Sequence, residues 1–165
     1  MKITSTTKTI AYFKLIFLCF TLAFSQSCLQ KDDFFLLDGT GHGLAEYRGQ
    51  WLIINFWAEW CAPCREEIPQ LNELFRNASA LNLNIIGISY DALENKEIGR
   101  IAEQWGIEYP IVASIPMPIF PFELPKSLPG NYIINPDGDL VMRLSGKQTV
   151  QSLTKLLNLL KKESR

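Results

Sequence analysis

The sequence predicts a single α/β domain built on a mixed central β-sheet with helices on both faces. Three observations predict it. The stretches "WLIINFW" at 51–57 and "LNIIGISY" at 83–90 are apolar almost throughout, as strands buried on both faces should be. Each is followed by apolar residues at helical spacing, which makes a strand, helix, strand unit whose strands run parallel with a right-handed crossover. The chain then closes with "YIINPDGDLVMRL" at 132–144, two apolar runs around a turn signal, which predicts an antiparallel hairpin.

The amino terminus stands apart from this pattern. Residues 1–14 carry Lys2, Lys8 and Lys14 without an acid, residues 15–24 read "LIFLCFTLAF", and small or polar residues follow in "SQSC". That order is the order of an export signal. The uninterrupted apolar run is shorter than the roughly 20 residues a spanning helix needs. Cys28 after Ser27 is similar to the lipidation site of a bacterial lipoprotein, although Ser25 stands where such sites usually carry Leu. Cleavage after "AFS" or "SQS" and an uncleaved anchor are the other readings. All of them make residues 1–28 an export signal or membrane anchor and place residues 29–165 outside the cytoplasm. Cys19 reads as an apolar residue of that segment.

From residue 30 onward the elements follow in order. "FFLLD" at 34–38 is a short strand closed by the turn-rich "DGTGHG", in which His42 reads as a solvated turn residue. Residues 51–57 form the central strand. Beyond Cys61 and Cys64, the residues Ile68, Leu71, Leu74, Phe75 and Ala78 recur at helical spacing. Pro63 suits a first turn, whereas Pro69 predicts a kink. After the strand at 83–90, residues 93–105 make a polar helix with Ile98, Ile101, Ala102 and Trp105 on one face, ended by Gly106. "YPIVA" at 109–113 begins another strand. The last helix, 148–161, buries a stripe of Val150, Leu153, Leu156, Leu157 and Leu160. Five of the nine prolines lie between Ile115 and Pro129, in a segment that reads either as an irregular surface loop or as a substrate-docking one.

Composition excludes several function classes. At 165 residues and 47% hydrophobic content the chain can bury a core without disulfides to replace one. Sixteen basic against seventeen acidic residues leave a formal charge of −1 with no basic stripe, which excludes nucleic acid as a partner. The "GTGHG" glycines do not lead from a strand into a helix, which argues against a dinucleotide site.

The chemistry concentrates in "FWAEWCAPCREEIP" at 56–69. Tetrahedral zinc needs four ligands, and beyond the pair Cys61 and Cys64 the chain offers only His42 and Cys28, so no metal site is expected. A purely structural bridge between cysteines three apart closes a very small ring and removes little entropy from the unfolded chain. Redox chemistry is the remaining use. Cys61 falls at the end of the central strand, at or before a first helical turn, where free N–H groups and the helix dipole stabilise a thiolate. That predicts a depressed pKa and an exposed sulfur at Cys61, with Cys64 one turn further in.

"NFWAEWCAPCREEIP" resembles the thioredoxin superfamily, and its surroundings resemble the TlpA-like branch of membrane-tethered or periplasmic thiol-disulfide oxidoreductases, which includes those that reduce apocytochrome c. The likeness runs in order through "FFLLDGTGHGLAEYRGQ", "NIIGISYD", "WGIEYPIV" and "LPGNYIINPDG" over residues 34–160. It implies a thioredoxin-like fold, Cys61 as nucleophile and Cys64 as resolving thiol. It also implies a cis-proline at Pro129, facing the disulfide and presenting the backbone of Leu128 to substrate. Trp60, Pro63, Leu128 and Pro129 are the substrate-binding set that follows. Glu67 matches an acidic residue that this branch places near the active site, and it lies one turn past Cys64, about 60° around the helix, whereas Glu66 lies about 200° away. Asn55 departs from thioredoxin itself, which carries a buried Asp there. Glu67 is therefore expected to act as the base, the other reading being a solvated helix charge.

The reading is a disulfide oxidoreductase of exported proteins, acting as a reductant and recharged by a membrane electron donor. It needs no cofactor, since the two sulfurs are the redox centre. The rival readings are a thiol peroxidase, which would need a PxxxTxxC pattern absent from this chain, and a non-catalytic partner-binding lipoprotein, which would not need WCxPC.

Overall fold

The structure is a computed structural model that describes residues 33–116 and 118–163. The expectations on Cys19, Cys28 and the export segment lie outside the described residues.

Seven strands and three α-helices are present among the described residues. They are β1 (Phe34–Phe35), β2 (Gly41–His42), β3 (Trp51–Trp57), α1 (Ala62–Arg76), β4 (Leu83–Ser89), α2 (Asn95–Trp105), β5 (Ile111–Val112), β6 (Gly130–Ile134), β7 (Leu140–Ser145) and α3 (Val150–Glu163). The main sheet has the order β5-β4-β3-β6-β7, so β3 is its centre as the apolar run predicts. β3 pairs parallel with β4, and β4 with β5; β6 and β7 add antiparallel. Every residue of β3 is buried, whereas the edge strand β7 alternates half-buried and exposed, which is the difference between two covered faces and one. β1 and β2 make a separate antiparallel pair, tied to the sheet edge by a bridge from Leu36 to Val112.

Side-chain alternation splits the interior in two. Ile53, Trp57, Ile85 and Ile133 point to the face on which α1, α2 and α3 lie, meeting Leu71, Leu74, Ile98, Ile101, Leu153 and Leu157. Two successive right-handed crossovers, β3 to β4 and β4 to β5, advance in the same direction and so place α1 and α2 on the same side. Leu52, Ile54, Phe56, Ile88, Val112 and Tyr132 point to the other face. There, in place of the α-helix that helices on both faces would supply, the cover among the described residues is Phe34, the 3₁₀ turn Leu44–Tyr47 and the aromatic pair Phe120 and Phe122 of the proline-rich loop. Each large aliphatic side chain so withdrawn from water is worth roughly 1.5–3 kcal/mol.

Local chemistry sets the helix limits. Gly106 ends α2 in the left-handed region at φ 65°, as its position predicts. α1 continues through Pro69 to Arg76, so the proline does not end it. Pro69 and the residue four before it, Arg65, are both exposed, so the carbonyl that loses its donor lies on the solvent side. Gly87 in β4 is required by contact: a Cβ there would stand 2.6 Å from the Ile111 side chain and 2.9 Å from the Tyr109 ring. That close approach lets Tyr109 lie against the sheet.

Candidate functional site

Cys61 is the N-cap of α1, following directly on the end of β3 and the short turn at 58–60. Its Sγ accepts the backbone N–H of Cys64 at 3.3 Å, so the sulfur takes the place a Ser or Asp oxygen usually fills. Cys61 and Cys64 are joined as a disulfide. In this form Cys61 keeps only 3% of its surface and Cys64 1%, so the exposed sulfur expected at Cys61 is not present while the pair is oxidised. Each sulfur is turned toward the other and sits in the helix-side core.

The surface around the disulfide is mixed. Trp60 is 71% exposed and Pro63 is exposed, while Leu128 is half-buried and Pro129 buried. The Leu128–Pro129 peptide is cis, and so is Ile115–Pro116. Leu128 packs against the cluster that holds both cysteines. The Pro129 carbonyl accepts the N–H of Gly146 at 2.8 Å.

One turn along α1 from Cys64, the helix-side face of the sheet carries a polar cluster. Asn55 of β3 and Asn131 of β6 are direct partners in the strand register and are 1% and 0% exposed. Glu67 enters from α1 and is also 0% exposed. This excludes the solvated helix charge as its description. Its carboxyl accepts three hydrogen bonds: Asn55 Nδ2 to Oε2 at 3.1 Å, Asn131 Nδ2 to Oε1 at 2.9 Å, and the Gln148 backbone N–H to Oε1 at 2.6 Å. Asn55 Nδ2 also donates to Asn131 Oδ1 at 3.0 Å, and the Tyr109 hydroxyl donates to Asn55 Oδ1 at 3.0 Å. Tyr109 is held in place from α1, because Asn72 donates to the Gly106 carbonyl and accepts the Glu108 N–H.

Burial dominates the electrostatics. Loss of water raises the Glu67 carboxyl from its ordinary 4.5 to about 7, with the donors from Gln148, Asn131 and Asn55 and the charge of Lys147 pulling the other way. Burial likewise pushes the Tyr109 hydroxyl well above its ordinary range, with Glu67 adding to the shift. Glu66 is exposed and pairs with Lys147 at 2.6 Å, and that hydrogen bond lowers its pKa. The loop before α3 thus touches both neighbours: Lys147 holds Glu66 and Gln148 holds Glu67.

The structure therefore brings Cys61, Cys64 and Leu128 into one cluster and places Glu67 in a buried polar network, while Trp60 and Pro63 stand at the exposed rim. Asn131, Tyr109 and Gln148 are site residues that the sequence reading missed. A signal existed for Asn131: it is a polar residue in an apolar strand, two positions after Pro129 and in phase with the inward Ile133. His42 is not a free turn residue, since it belongs to β2 and its Nδ1 lies 2.9 Å from Glu46 Oε2. Among the described residues no group of three or more His, Cys, Asp or Glu side chains is placed to hold a metal ion.

The model of the AhpC/TSA family matches residues 22–143. The thiol-disulfide oxidoreductase ResA of Geobacillus kaustophilus is 28% identical over 131 residues, covering 78% of this chain and 75% of the relative. ResA of Bacillus anthracis is 28% identical over 117 residues, covering 71% and 67%. Among solved structures, a thiol:disulfide interchange protein of the thioredoxin family from Chlorobium tepidum superposes with a TM-score of 0.62 at 21% identity, over 76% of this chain and 89% of that one. StoA from Bacillus subtilis superposes with a TM-score of 0.61 at 19% identity, over 74% and 92%. At these identities the structural likeness establishes the thioredoxin-like fold.

Proposed function

The chain belongs to the AhpC/TSA family and is a thiol-disulfide oxidoreductase, and from that premise we propose that it reduces disulfides of exported proteins on the outer side of a membrane. The observation that carries the reading is the pairing of an N-cap cysteine with a buried carboxylic acid one helical turn beyond its partner cysteine.

In the dithiol form, the Cys61 thiolate attacks one sulfur of a substrate disulfide. A mixed disulfide forms and the other substrate sulfur leaves as a thiolate. Glu67 then takes the proton of Cys64, and the Cys64 thiolate attacks Cys61 Sγ. The second substrate sulfur leaves, two electrons have passed to the substrate, and the Cys61–Cys64 disulfide remains. A membrane electron donor restores the dithiol. Trp60 and Pro63, exposed beside the disulfide, and Leu128 with Pro129 form the surface that receives the substrate chain. A carboxylate near the pair disfavours a stable thiolate, which makes the dithiol the better donor. Apocytochrome c, a substrate class within the TlpA-like branch, is one candidate.

The order of charge, apolar run and small residues in 1–28 supports export, with Cys28 as the candidate lipid attachment point for tethering residues 29–165. No helix among the described residues is long and apolar enough to cross a membrane. Equilibration with glutathione tests the direction of electron flow. The expected midpoint lies near that of thioredoxin, about −270 mV, and a value more oxidising than about −180 mV overturns the reductase reading.

A further inference from the structure

We propose that Asn131 is a positioning residue, which locks the hydrogen-bond direction of the cluster around Glu67 so that the carboxyl meets only donors. The geometry leaves it little choice. The carboxylate of Glu67 can only accept, so it takes an N–H of Asn55 Nδ2 at 3.1 Å; that leaves Asn55 Oδ1 to the Tyr109 hydroxyl at 3.0 Å and the second Nδ2 hydrogen to Asn131. Asn131 in turn presents its oxygen to Asn55 and its Nδ2 to Glu67 Oε1 at 2.9 Å. A reversed Asn131 amide would set oxygen against Glu67 Oε1 and nitrogen against Asn55 Nδ2, two repulsive contacts in a site without solvent exposure.

Glu67 consequently faces three donors, from β3, from β6 and from the loop before α3, and no acceptor. A proton on the carboxyl would find no partner in the network, whereas the carboxylate is fully supplied. Donors to the ionised form oppose the effect of burial. Without them the acid would stay protonated to higher pH and could not receive a proton from Cys64. The other titratable groups that act on or feel the carboxyl are Tyr109 from the segment before β5 and Lys147 beside Gln148; on α1 itself Arg65 and Glu66 are exposed, and Cys64 lies one turn back along the helix. Lys147 is paired with Glu66, so its charge acts on Glu67 from a distance. Asn131 is also two residues from Pro129, which puts a donor to the proposed proton acceptor next along the chain to the proposed substrate-binding segment.

The kinetic weight of this clamp rests on the proposed role of Glu67; the clamp itself does not. Two variants test it in the full-length protein. Asn131→Leu removes the donor at similar volume, and Asn131→Asp keeps the shape and replaces the donor with an acceptor. The Glu67 midpoint is read by carbon NMR of glutamate-labelled protein, the signal being assigned by its loss in Glu67→Gln. Loss of one hydrogen bond to a charged group should raise the midpoint by about one to two units in Asn131→Leu. The rise should be larger in Asn131→Asp, where two carboxyls share a site. If Asn131→Leu does not fold, Asn131→Asp carries the measurement. A lowered melting temperature with an unmoved midpoint would reduce Asn131 to a packing residue and overturn the proposal. A raised midpoint with no matching shift in the pH profile of mixed-disulfide resolution would uphold the clamp and instead remove Glu67 from the proton-transfer step.

Discussion

The solvent side and the sheet side of α1 offer a controlled comparison, because consecutive residues of one type occupy them. Glu66 is exposed and held below the ordinary carboxylate range by its hydrogen bond to Lys147. Glu67 is without exposed surface and is raised to about 7. A single helical step of about 100° separates them. The same functional group is thus a surface ion on one side and a buried acid raised to about 7 on the other. Helix position relative to Cys64 separates the two in the sequence, but what separates their titration is desolvation. The Lys147–Gln148 pair sharpens the contrast, since the side chain of the first serves the surface acid and the backbone N–H of the second serves the buried one.

Stability as a function of pH gives the largest expected effect. A raised folded-state pKa means that the native protein binds the proton more tightly than the unfolded chain. The resulting stabilisation is fully present below pH 4.5 and is lost as pH rises through about 7, amounting to about 3 kcal/mol. Urea unfolding of the oxidised protein at several pH values should show this decline, and Glu67→Gln should remove it. A parent protein whose stability rises across that window would break the comparison.

Next in size is the rate of resolution. Glu67→Gln keeps the side chain's size but cannot accept the Cys64 proton, and should slow release of the mixed disulfide by about 10²-fold while leaving the first attack by Cys61 unchanged. Stopped-flow kinetics that follow the mixed disulfide separate the two steps. The rate in the parent protein should climb with pH through about 7 as Glu67 ionises. Equal resolution rates in parent and variant would leave the step without its base.

The smallest effect belongs to Glu66. Glu66→Gln removes an exposed ion pair with Lys147, so resolution should proceed at the parent rate and any loss of stability should vanish in high salt. A slowed resolution step in Glu66→Gln would show that the two sides of α1 are coupled through the loop at 146–148, against the division drawn above.

Much of this arrangement is legible in the chain and part of it is not. The continuous apolar run at 51–57 is enough to name the central strand, because a strand covered on both faces has no polar phase. The helical repeat after Cys64 and the "PDG" turn likewise act over a few residues and appear where they are expected. Other features mislead for a stated reason. Pro69 is a helix breaker by residue type, yet α1 runs on through it to Arg76, and the carbonyl it orphans lies on the solvent side. His42 reads as a turn residue because its partner Glu46 is visible only once β2 and the 3₁₀ turn have formed.

By itself, then, the chain determines the strands of its main sheet, its helices and the placing of Cys61 at a helix start, since periodicity, caps and turn residues exert their influence over one or two turns. Tertiary structure alone decides the burial, the partners and the raised pKa of Glu67. Its partners Asn55, Asn131 and Gln148 lie 12, 64 and 81 residues away along the chain, and they meet it because β3, β6 and the loop before α3 are brought together by the sheet order. The raised pKa follows from the water excluded by all of those elements at once, and desolvation is a sum over surroundings that no short stretch of sequence contains.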